Sequence, residues 1–105
     1  MTSPRNGGID YEVYCSSVVA QTIRNAHLQA IEEGRGEAMV AAFRDAVENL
    51  RKRAPRFGEA LYRLPSLRME VRHAVLRPIA VQFGVCEDRP LVFIKNVTLL
   101  SLPRL

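Results

Sequence analysis

Residues 68–98 read RMEVRHAVLRPIAVQFGVCEDRPLVFIKNVT, and this stretch decides the fold. Met69, Val71 and Val75 alternate with Arg68, Glu70 and Arg72. Beyond Leu76-Arg77-Pro78, Ile79, Val81, Phe83 and Val85 alternate with Ala80, Gln82 and Gly84. Glu87-Asp88-Arg89-Pro90 forms a second polar break, and Leu91 to Val97 is again rich in β-branched and aromatic residues. Side chains two apart share a face of a strand, so the pattern predicts three strands with one face buried. Breaks this short make neighbouring strands antiparallel, because a parallel pair needs a long crossover.

Working back from that meander, Ile9, Tyr11, Val13 and Cys15 alternate with polar residues and predict a first strand. Ser16 and Ser17 supply an N-cap for a helix whose stripe is Val19, Ile23, Ala26 and Ala30, with Ile31 alongside. That helix ends near Gly34, a residue suited to the left-handed cap. His27 falls at the edge of the stripe, as a boundary histidine. A second helix, from about Glu37 to Arg53, presents Met39, Phe43, Val47 and Leu50, and Pro55 stops it. Gly34-Arg35-Gly36 is so short that the helices must form an antiparallel hairpin. Phe57 to Leu64 holds at most a short extended piece, and residues 1–8 are expected to fray.

The order β-α-α-β-β-β predicts a single two-layer α+β domain, its helical hairpin packed on one face of an antiparallel sheet. The other face, expected to carry Glu70, Arg72, Ala74, Ala80, Gln82 and Gly84, is left open to a partner. By parity His73 joins Met69, Val71 and Val75 under the helices, a packed histidine. Phe83 and Phe93 share the parity of the core, which removes the stacked aromatics of an RNA-recognition sheet.

Length and charge bound the rest. A chain of 105 residues supports one core without staples. Nothing approaches the roughly 20 apolar residues of a membrane span, and the start lacks a secretory apolar run, so a cytoplasmic location is expected. Cys15 and Cys86 lie in no metal-ligand or redox spacing and are expected to be reduced packing residues, with no metal or cofactor implied. The net charge of +4 is uneven: Arg51 to Arg77 holds eight cations against two anions, leaving −2 for the remainder. A basic middle suits either a polyanion-facing surface or a solvated helix end and strand face. Nucleotide-binding and hydrolase motifs are absent from the sequence.

From Tyr11 to about Leu100 the chain resembles the RelE/ParE superfamily, the toxins of type II toxin–antitoxin pairs. The resemblance is carried by element order, by Pro55-Arg56-Phe57-Gly58-Glu59-Ala60-Leu61, and by the hairpin Val71-Arg72-His73-Ala74-Val75 with Ile79-Ala80-Val81-Gln82-Phe83-Gly84-Val85. The acidic turn Glu87-Asp88-Arg89 and the strand Val92-Phe93-Ile94 complete it. It implies a toxin neutralised by a partner antitoxin; one branch of the family cleaves messenger RNA on the ribosome and another poisons DNA gyrase. Cleavage needs cations around a phosphorane and groups that move protons. Of the family's basic set, Arg72 matches the first position, whereas Ala74, Ile79 or Ala80, and Leu99 or Leu100 fall on the others. The resemblance thus implies a degenerate ribonuclease site, with Arg72 and His73 as catalytic candidates. Arg68, Arg72 and Arg77 are the nucleic-acid-binding candidates, and Leu99, Leu100 and Leu102 form an apolar tail for the antitoxin. The alternatives are an active messenger-RNA endoribonuclease with a substituted site, a gyrase poison, and a non-toxic interaction module.

Overall fold

The computed structural model describes residues 10–102; the expected frayed tail over residues 1–8 and the last three residues lie outside them. Strand β1 is Glu12–Cys15. The Ser16 hydroxyl then accepts a hydrogen bond from the Val19 N–H at 3.1 Å and opens α1, Ser17–Glu32. Gly34, at φ +74°, turns the chain, and α2 runs Gly36–Arg53. Pro55 falls in a single 3₁₀ turn that ends the helical hairpin. Strands β2 (Glu59–Leu64), β3 (Met69–Leu76), β4 (Ile79–Cys86) and β5 (Leu91–Leu99) follow.

The strands form one sheet in the order β1-β5-β4-β3-β2, with both helices on one face. This is the expected two-layer α+β architecture with two differences. The short extended piece after Phe57 is a full edge strand, β2, paired to β3. The sheet is also mixed, because β1 runs parallel to β5 while every other pair is antiparallel. The helical layer supplies Ala30 from α1 and Met39, Ala42, Ala46 and Leu50 from α2, with Val19, Ile23 and Ala26 half-buried around them. The sheet answers with Ile79, Val81, Phe83, Val85, Val92, Ile94 and Val97. Phe83 is fully buried and stacks on Phe57, ring centres 5.7 Å apart.

The two faces of β3 are the reverse of the expected ones. Arg77-Pro78 is a two-residue turn, so Leu76 pairs with Ile79, and cross-strand partners share a face. Ile79 lies in the core; Leu76, Ala74, Arg72 and Glu70 therefore point toward the helices. Met69, Val71, His73 and Val75 point away. Ala74 is 6% exposed and Val75 55%, which is the observable sign of the exchange. Alternation alone favoured the other set because it is the more apolar. Val71 is still fully buried, lying between its cross-strand partners Tyr62 and Gly84 on the open side.

Phe93 is also on the open face rather than in the core. An irregularity in the β4–β5 ladder leaves Lys95 as an extra residue, so Val92 and Ile94 point inward before it and Val97 and Leu99 after it. A single alternation cannot describe such a strand. Both cysteines are free, but only Cys86 is buried; Cys15 is exposed at the end of β1 and is not the packing residue expected.

Candidate functional site

The open face is built by register. Glu59 on β2 pairs with His73 on β3, His73 with Gln82 on β4, and Gln82 with Asn96 on β5. Four polar side chains thus form one row across four strands, spanning about 14 Å at the usual interstrand spacing. Leu61, Ala80 and Thr98 join His73, Gln82 and Asn96 around a shallow depression of about 250 Å³. Leu61 reaches it because the ladder between Ala60 and Tyr62 is irregular, which sets an extra residue on the edge strand.

His73 Nε2 lies 3.5 Å from Glu59 Oε1, with the histidine about one-third exposed and the carboxylate almost fully so. The Asn96 amide donates to Thr98 Oγ1 at 3.4 Å. One row along, Tyr62, Val71, Gly84, Phe93 and Tyr14 are successive cross-strand partners. Tyr14 and Phe93 stack with centres 5.7 Å apart, and the Tyr14 hydroxyl donates to Glu12 Oε1 at 2.9 Å. That bond to a carboxylate, reinforced by its charge, holds the phenol above its ordinary pKa. Hydrogen-bonding amides, one imidazole and the carboxylates of Glu59 and Glu12 thus share the face with an aromatic row. By strand register, among the described residues no arginine of a strand projects from this face.

The structure separates the residues that the sequence grouped. Arg72 and His73 are adjacent on one strand and project to opposite faces, so they do not converge on one reacting atom. Arg72 is 11% exposed. Its guanidinium donates to the Phe57 carbonyl at 2.9 Å, to the Gly58 carbonyl at 3.0 Å and to Glu70 Oε1 at 2.7 Å. The two carbonyl contacts hold the turn that starts β2, and Glu70 on the same strand steadies the guanidinium. Arg68, at φ +49°, precedes β3 and Arg77 follows it, so these two exposed cations stand roughly 30 Å apart at opposite ends of an extended strand. Arg68, Arg72 and Arg77 do not make one patch.

Of the apolar tail, Leu99 pairs with Ile79 and packs against the core, and the Leu100 N–H donates to the Pro78 carbonyl at 2.8 Å. Only Leu102 is freely exposed, at 51%. Glu59, Asn96 and Thr98 escaped sequence reasoning. Recognising β2 as a strand would have found the first, and allowing for the extra residue at Lys95 the other two.

Among the described residues no group of three or more histidine, cysteine or acidic side chains is placed to hold a metal ion. Among the described residues no helix is long and apolar enough to cross a membrane. Comparison with protein-family models, with curated proteins and with solved structures finds no match.

Proposed function

We propose that this chain is the toxin-family component of a cytoplasmic type II toxin–antitoxin pair, a divergent RelE/ParE-like protein neutralised by a partner antitoxin and carrying a degenerate ribonuclease site. The observation that carries the reading is the open sheet face: a helical hairpin covers one side only, and the other presents a concave row of polar groups without an arginine. A polyanion turning over at this face would need cations around its phosphorane. Glu59, His73, Gln82 and Asn96 offer hydrogen bonds instead, and Arg72 is committed to the turn beneath. That chemistry suits partner binding better than phosphodiester transfer.

The test is induced expression with and without the product of an adjacent small reading frame. Growth arrest relieved by the neighbour, with the two proteins copurifying, is the expected result. Harmless expression with no copurifying neighbour would sink the pairing and leave a non-toxic interaction module.

One observation favours a second reading, an active messenger-RNA endoribonuclease with a substituted site. His73 sits beside Glu59 on the open face, an imidazole and a carboxylate of the kind that move protons in acid–base chemistry. On that reading induction arrests translation, and His73→Ala relieves the arrest while leaving the fold intact by circular dichroism. Undiminished arrest in that variant removes the pair from the chemistry. DNA damage with translation at first intact would point instead to gyrase.

A further inference from the structure

The outer side of the helical hairpin holds a feature that the toxin reading does not use. Between α1 and α2 runs a groove formed by two adjoining depressions of about 660 Å³ and 280 Å³, which share His27, Val40 and Arg44. Its floor is apolar. Ile31 is 53% exposed there, although the spacing of α1 set it beside the inward stripe, and Val40 and Phe43 are only half-buried. Gly36 lets Ile31 lie against the start of α2, since a Cβ at residue 36 would come within 2.8 Å of Ile31 Cγ1.

Charge is distributed along the groove, not scattered. Arg24 and Arg44, both exposed, flank the end near Ile23 and Phe43, one on each helix. Glu37 stands at the other end, beside the interhelical turn. From Ile23 to Ile31 the floor is about 12 Å long, the length of two to three helical turns.

The geometry points to an amphipathic α-helix of a partner protein as the occupant, its apolar stripe on Ile31, Val40 and Phe43 and its carboxylates between Arg24 and Arg44. Ridge-into-groove packing suits a third helix laid on a hairpin. The arginines complement both acidic side chains and the negative C-terminal end of such a helix, while Glu37 receives its positive N-terminal end. The assignment stands apart from the open sheet face and does not require toxicity.

The test uses the full chain and two labelled peptides of about three turns. Both carry leucines at helical spacing, one flanked by glutamates and the other by lysines at the same positions. Saturable binding of the glutamate peptide, with the lysine peptide weaker by about tenfold or more, is expected. Arg24→Glu combined with Arg44→Glu should invert that preference, and Val40→Asp should abolish binding of both, with unchanged circular dichroism. Indifference to peptide charge, insensitivity to Val40→Asp, or failure of the glutamate peptide to bind overturns the assignment. Concentration-dependent self-association lost in Val40→Asp would also overturn it, by giving the groove to a second copy of the chain. None of these readouts depends on growth arrest, so the groove and the toxin reading fail separately.

Discussion

Gly58 sits at φ +71° with its α-carbon against the next strand, so that a Cβ there would overlap the His73 carbonyl oxygen and crowd the Ala74 methyl. Neither neighbour is the free end of a flexible side chain. Gly58→Ala is therefore expected to cost about 2–4 kcal/mol, the left-handed penalty plus a displaced strand. Gly34→Ala is its control: φ is +74° but the space is open, and the loss should stay near the left-handed penalty alone, about 1–2 kcal/mol. Urea denaturation of the two variants separates the contributions, and equal losses would discount the contact with His73. Arg72 works on the same turn from its other side. Arg72→Ala leaves the Phe57 and Gly58 carbonyls and the Glu70 carboxylate without their donor. A loss of about 1–3 kcal/mol follows from unpaired polar groups, of which the Phe57 carbonyl and the Glu70 carboxylate are partly buried. Arg72→Lys should not restore it, because one ammonium cannot reproduce the planar fork that reaches both carbonyls. If Arg72→Ala instead abolished growth arrest at unchanged stability, the residue would belong to the chemistry and not to the turn.

At the scale of elements, an ion pair ties β2 to the turn between β4 and β5. Arg63 Nε and Nη2 donate to the two Glu87 oxygens at 2.7 Å and 2.8 Å, joining the edge strand to the turn between β4 and β5. The Arg63 hydrogen bonds hold the Glu87 carboxyl below its ordinary pKa. A carboxylate depressed on folding contributes stability in full above its ordinary range and loses it as pH falls through the depressed value. The thermal midpoint of Glu87→Gln should accordingly lie slightly below that of the parent at neutral pH and converge with it in acid. The gap should stay small, since both partners are partly in solvent and such pairs are screened. A gap that widens in acid would reverse the assignment.

How far the elements were legible follows from the same strands. Helix ends were readable because Ser16, Gly34 and Pro55 act locally, each through its own backbone chemistry. The faces of β3 were not readable from alternation, because both parities carry apolar residues. The turn length held the missing information: with two residues between them, Leu76 must face the way Ile79 faces. Phe93 was misassigned for a different reason. An extra residue in a ladder leaves no mark on composition, only a change of phase between Ile94 and Val97. The open face was foreseen as a surface, and Gln82 as part of it. Its assembly into a row with Glu59 and Asn96 required pairings that sequence alone leaves open.

For the whole molecule, the decisive feature is the position of β5. It lies between β1 and β4, and α1 packs chiefly on it. Glu12 pairs with Leu91, 79 residues later in the chain. During synthesis α1 and β1 leave the ribosome long before the segment that covers them, so the apolar stripe of α1 waits for the last strand to emerge. A released chain truncated after Cys86 should consequently lack the strand on which α1 chiefly packs, a state open to chaperones and to proteases. Moving β5 ahead of β1 by circular permutation would remove that delay while keeping every contact of the finished sheet.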